Sequence, residues 1–183
     1  MANITVEEID TQLIKDIKIE DYSQPKTIDG VRLFNLNLIS SEDGYFLELA
    51  RLGKNSFLKK IPGFKIQQIS YSQIDPGVIK AWHIHRTQDD LWFVPPDNKL
   101  LIGLYDLRKK SPTKNFIMRL ILGNHNSNLL LIPRGVAHGC SNISTRPSPL
   151  IYMTNLLFNK AKPDEHRLSW DHLGKDFWVA KKG

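Results

Sequence analysis

Hydrophobic residues along this chain recur in two different periods. Between Thr5 and Ile17, Val6, Ile9, Leu13, Ile14 and Ile17 return at helical spacing, and Thr5 followed by Glu8 forms a capping box. This predicts an N-terminal helical extension, residues 1–24, with one apolar face that packs on the rest of the protein or on a partner. Past Pro25 the period shortens. Short runs rich in Ile, Leu, Phe and Tyr alternate with Gly, Pro, Asn and Asp, the signature of strands and turns. The expected strands are Val31–Ile39, Tyr45–Leu52, Phe64–Ile74, Val78–His85, Leu91–Val94, Leu100–Leu107, Phe116–Leu122, Asn128–Ile132 and Leu150–Phe158. No repeat or linker divides them. Residues 25–183 therefore read as a single all-β domain, a sandwich or barrel with the jelly roll as the leading version. The tail, SWDHLGKDFW, is too aromatic to lie loose and is expected to fold back as a short helix or turn.

Composition adds limits. A chain of 183 residues with 41% hydrophobic residues suits one domain with a real core. The longest apolar runs are strand-sized, so no membrane-spanning helix is expected. The acidic start, MANITVEEIDTQ, lacks the basic character of a targeting peptide. One cysteine, Cys140, rules out an intrachain disulfide and fits a reducing cytoplasm. The net charge is +6, but the lysines are scattered in pairs, without the basic helix of a nucleic-acid binder. The same field would draw in a small anionic substrate.

The chemistry concentrates in two stretches. In VIKAWHIHRTQDD, strand periodicity puts His83 and His85 on one face and Lys80 on the other, unless a bulge intervenes. In PRGVAHGCSN, a Pro-x-Gly turn feeds a strand that carries His138. Trp82 and Trp92 read as packing residues, His125, His166 and His172 as loop histidines, and Cys140 as a small core residue. Asp106 and Arg108 are expected to hold a turn closed by Ser111-Pro112.

The spacing Gly77-x5-His83-x-His85-x3-Asp89, followed by Pro133-x-Gly135-x2-His138-x3-Asn142, resembles the two motifs of the cupin superfamily. A closer resemblance is to the dTDP-4-dehydrorhamnose 3,5-epimerases, a metal-free cupin family. GVIKAWHIH, YDLRKKSPT, LLIPRGVAHG, SEDGYFLE and SWDHLGKDFW are similar to its motifs, in family order from about residue 40 to 178. The resemblance implies a cytoplasmic homodimer acting on a nucleotide-sugar or keto-sugar substrate without a cofactor. It implies His83 as catalytic base, Tyr152 as general acid and His138 as a second catalytic histidine, with Lys80, Glu48 and Asp90 at substrate-binding positions. Four departures accompany it. Lys80 stands where the family has arginine, Asp43 replaces an arginine that binds the nucleotide phosphates, Asp90 falls near the family's active-site lysine, and the tail aspartate that orients the base has no match. Two alternatives stay open: a metal-dependent cupin, isomerase or dioxygenase, holding a divalent ion through His83, His85, Asp89 or Asp90, and His138; or a non-catalytic sugar-binding relative.

Overall fold

The computed structural model describes residues 5–15, 17 and 26–181. Two five-stranded antiparallel sheets carry the architecture. The first is ordered β1 (Arg32–Asn35), β9 (Asn128–Ile132), β6 (Asp90–Phe93), β11 (Ser148–Thr154) and β4 (Gln68–Ile74). The second is ordered β12 (His166–Arg167), β5 (Ile79–Ile84), β10 (Val136–Ser141), β7 (Lys99–Asp106) and β8 (Ile117–Gly123). A separate hairpin pairs β2 (Leu38–Ser41) with β3 (Gly44–Leu47). This is the double-sheet all-β fold expected from the strand pattern, in the cupin-like form that the motif resemblance implies.

Three apolar clusters explain why the central strands lack clean alternation. Trp92, Leu130, Ile132 and Leu150 of the first sheet meet Leu100, Ile102, Leu104 and Val136 of the second, forming the core between the sheets. On the outer face of the first sheet, Leu91, Phe93, Leu129 and Met153 are covered by Leu58, Ile61, Phe64 and Ile66. On the outer face of the second, Trp82, Leu101 and Ala137 are covered by Trp178 and the partly buried Leu168, Leu173 and Phe177. A strand buried on both faces reads as a continuous apolar run, and β6 is buried at all four positions. The tail earns its aromatic composition here: a 3₁₀ turn at Lys175–Trp178 seats Trp178, whose Nε1 donates to the Trp170 carbonyl at 2.8 Å.

The N-terminal expectation is corrected. In place of one helix there is a 3₁₀ turn, Val6–Glu8, and a single turn of helix, α1 (Thr11–Ile14). Half of the capping box forms, with the Thr5 amide donating to Glu8 Oε2 at 2.7 Å. Asp10 then accepts the Gln12 amide at 2.9 Å, a local side-chain bond that starts a new turn instead of continuing the old one. Ile17 is exposed. The boundary expected at residue 24 lies outside the described residues.

Candidate active site

The pairing of β5 with β10 sets His83 opposite His138, then shifts register, so that Cys140 faces Lys80. Three residues of β5 thus span two of β10, a bulge at Ala81-Trp82 that overrides simple alternation. Lys80 is thereby brought round to the same cavity as His83 and His85. Gly139 sits opposite this bulge, where a Cβ would lie 2.8 Å from the Lys80 carbonyl oxygen. On the preceding turn, Gly135 has φ of 81°, a left-handed conformation that the Pro-x-Gly sequence accommodates.

The cavity these strands open onto has a volume of about 1220 Å³. His83, His138, Tyr152, Lys80 and Asp90 all line it, so five of the six residues assigned from the resemblance converge. Lys80 Nζ donates to Ser72 Oγ at 2.9 Å. Glu48 is the exception. It is absent from the cavity lining and its Oε2 accepts Arg51 Nη2 at 2.7 Å on the exposed surface. Asp43, at the β2–β3 turn, is likewise held by a local bond, from Ser41 Oγ.

His83 carries the clearest electrostatic signature. Its Nδ1 lies 3.1 Å from Glu165 Oε1, and Arg167 Nη2 donates to the same oxygen at 2.5 Å. A carboxylate only accepts, so Nδ1 bears the hydrogen and Nε2 is left as a lone pair. Burial, then the charges of His138 and Arg167, push the imidazole down to about 4, against a smaller upward pull from Glu165. The ring is therefore neutral at pH 7 and able to take a proton.

Glu165 is the orienting acid that has no match in the sequence motifs. It reaches His83 because β12 pairs with β5, placing Arg167 beside His83 and His166 beside Ile84. The neighbouring Asp164 anchors the segment. Its carboxylate accepts the amides of Arg86, Thr87 and Gln88 at 3.0, 2.7 and 3.0 Å and the Thr87 hydroxyl at 2.6 Å. Burial would raise the Asp164 carboxyl, but these donors hold it well below the usual range. Residues 159–167 are polar and aperiodic, so hydrophobic pattern gives no hint of a strand there; the acid pair just before SWDHL is the only signal.

The four-ligand metal set also needs correction. His85, Asp90 and His138 bring ligating atoms within 4.8 Å of one another, without His83 or Asp89. Asp89 points elsewhere: it accepts Arg134 Nε and Nη2 at 3.0 and 2.7 Å and Asn155 Nδ2 at 2.9 Å. Asp90 is buried, with Oδ1 accepting Gln88 Nε2 at 2.7 Å and Oδ2 accepting Trp92 Nε1 at 3.1 Å. Burial alone would raise its carboxyl; the bond and charge of His138 and the charge of His85 outweigh that and lower it.

Residues 25–178 match the family model for dTDP-4-dehydrorhamnose 3,5-epimerase. The chain belongs to this family. It is an epimerase-type isomerase by that membership, and its relatives agree. It is 42% identical over 144 residues to the spore coat polysaccharide biosynthesis protein SpsL of Bacillus subtilis, covering 79% of this chain and 91% of that protein. It is 37% identical to the probable low-salt glycan biosynthesis epimerase Agl13 of Haloferax volcanii, covering 79% and 89%. Among solved structures, the dTDP sugar isomerase of Desulfovibrio desulfuricans superposes with a TM-score of 0.69 at 28% identity, covering 80% of this chain and 88% of that one. Among the described residues of this epimerase family member, no helix is long and apolar enough to cross a membrane.

Proposed function

We propose that this epimerase acts on a dTDP-linked 4-keto sugar, with His83 as the base and Tyr152 as the acid. Inverting a carbon beside a ketone requires a proton to leave one face and another to arrive on the opposite face. The observation that carries this reading is the His83–Glu165–Arg167 chain: a neutral imidazole, its Nδ1–H fixed on a carboxylate, presents Nε2 as acceptor. Tyr152 comes from β11 of the facing sheet and packs against the core between the sheets, so base and acid approach from opposite walls. His83 Nε2 takes the proton next to the carbonyl, and the Tyr152 hydroxyl returns one from the other side. Neither transfer draws on a cofactor.

Lys80, Arg86, Lys162 and Arg167 also line the cavity, which supports binding of an anionic diphosphate despite Asp43. A homodimer is in keeping with the exposed Ile69 and Tyr71 on the edge strand β4, and nucleotide-sugar chemistry with a place in the cytoplasm. The test is deuterium exchange. Incubated in D₂O with dTDP-4-dehydrorhamnose, the wild type should wash deuterium into the carbons flanking the ketone. His83→Ala should slow this by about 10²–10⁴-fold, and Tyr152→Phe should slow it at one carbon face. Wild-type exchange no faster than His83→Ala would refute the assignment and leave a sugar-binding role.

A further inference from the structure

Glu165 orients His83, and Glu165 must itself be oriented. Its carboxylate accepts from His83 Nδ1 and Arg167 Nη2, which engages the far end of the side chain and leaves the near end to the main chain. Two anchors flank it. Before it, the Asp164 carboxylate is clamped on the amides of Arg86, Thr87 and Gln88. After it, strand pairing begins at His166, opposite Ile84. The peptide between Asp164 and Glu165 lies in the gap between these anchors.

The His85 ring reaches that peptide. Its Nδ1 bonds the Asp164 carbonyl oxygen. A carbonyl only accepts, so Nδ1 carries the hydrogen whether the ring is neutral or charged. The peptide unit is planar, so holding its oxygen also holds the Glu165 nitrogen and Cα. His85 is in turn held from three directions. Its own carbonyl accepts the Gly135 amide at 2.8 Å. Its ring is buried, with its centre 5.2 Å from that of His138. Its Nε2 lies 3.8 Å from Asp90 Oδ2, on a carboxylate that Gln88 Nε2 and Trp92 Nε1 fix in place.

We propose that His85 is a positioning residue of this epimerase: through the Asp164 carbonyl it sets the Glu165 carboxylate against His83. This rests on the reading of His83 as the base. The two histidines of the His-x-His stretch then work in series, His85 holding the acid that holds His83, and His85 exchanges no proton with the sugar. Without its bond the 164–165 peptide can turn and carry the carboxylate off Nδ1. The His83 hydrogen is then free to sit on either nitrogen, and only one of the two tautomers presents Nε2 as the acceptor.

Three variants of the full chain separate the two edges of the His85 ring. His85→Asn places an amide nitrogen where Nδ1 stood, and His85→Leu places a methyl group there. His85→Gln reaches for Asp90 in place of Nε2 and has no donor at the Nδ1 position. Imidazole ¹⁵N spectra at pH 7 read the tautomer. Wild type and His85→Asn should show His83 with its hydrogen on Nδ1 alone, and His85→Leu and His85→Gln a mixture. In D₂O exchange with dTDP-4-dehydrorhamnose, His85→Leu and His85→Gln should lose about 10–100-fold in kcat at unchanged KM, with His85→Asn within about threefold of wild type. Circular dichroism checks folding; if His85→Leu unfolds, His85→Asn against His85→Gln carries the same contrast. The same His83 tautomer state in every protein, or a His85→Asn no better than His85→Gln, overturns the proposal. The spectra need no sugar, so a wild type that exchanges nothing would refute the base assignment while the spectra still decide whether His85 sets Glu165 against His83.

Discussion

Asp106 gives the most direct test of how the fold is held, because its surroundings allow the cost of losing it to be worked out. It ends β7 with no exposed surface. Oδ1 accepts the Arg108 amide at 3.1 Å and Arg108 Nε at 2.8 Å. Oδ2 accepts Arg108 Nη2 at 2.9 Å, Ser111 Oγ at 2.5 Å and Thr113 Oγ1 at 2.7 Å. Arg108 Nη2 and Thr113 Oγ1 in turn hold the carbonyl and amide of Asp29, before β1. Asp106→Asn keeps the shape but removes the charge and one acceptor. The two hydroxyls can rotate to accept from the new amide, so the loss falls on the guanidinium. Removing one partner of a buried pair costs about 3–5 kcal/mol. Arg108 keeps 25% of its side chain exposed and can rehydrate, which sets the expectation at the low end, about 3 kcal/mol. For a chain of this size that is roughly 6–12 °C in Tm.

Urea unfolding at pH 7, followed by tryptophan fluorescence, measures this, with Glu48→Ala as the exposed-pair control expected within about 1 kcal/mol of wild type. The pH dependence adds a second check. Burial would raise the Asp106 carboxyl, but Arg108, Ser111 and Thr113 hold it well below the usual range. A depressed native value contributes stability above the unfolded value near ~3.9 and loses it as the pH falls toward the native one. Wild type and variant should therefore converge below about pH 4. A difference under about 1 kcal/mol at neutral pH, or one that does not shrink in acid, would refute the reasoning.

Three further outcomes are expected. Arg167→Ala removes a charge that lowers the His83 imidazole and frees Glu165 to raise it, so the acid limb of the exchange rate should move up from about 4; a downward move would contradict the assigned geometry. Gly139→Ala forces a Cβ against Ala81 and the Lys80 carbonyl, both backbone-fixed, and should cost about 1–3 kcal/mol in a thermal melt. The Cys140 thiol, buried and pushed up to about 12, should resist a disulfide reagent in the native protein and react once urea unfolds it; rapid native reaction would contradict its burial.

Much of the sheet was legible because turn residues bracket apolar runs: β9 falls at Asn128–Ile132 as expected, and β6 and β7 shift by a residue or so at their ends. The strand expected at Phe64–Ile74 is confined to Gln68–Ile74, because Phe64 and Ile66 are apolar for a different reason, covering the outer face of the first sheet. Lys80 was legible as a conditional, since alternation mentions a bulge but cannot locate one. Glu165 was marked only by its place in an acid pair, which gives no hint of its partner. It is 82 residues from His83, and the pairing of a two-residue strand and the Asp164 clamp that join them are tertiary events that leave no periodic trace. The N-terminal helix failed on Asp10, whose side chain competes locally with a pattern that pointed to a longer element.

The anchoring of Asp164 has a consequence for how such chains can vary in length. Glu165, which faces His83, follows directly on the residue clamped to the 86–88 amides, and Arg167 is locked in register with His83. Insertions or deletions at 156–162, upstream of the clamp, can be absorbed as a larger or smaller rim without disturbing the Glu165–His83 contact. A single residue gained between 164 and 167 would rotate the acid away from its histidine. The rim before the clamp is thus free to vary in size and shape, while the three residues after it, 165–167, must keep count.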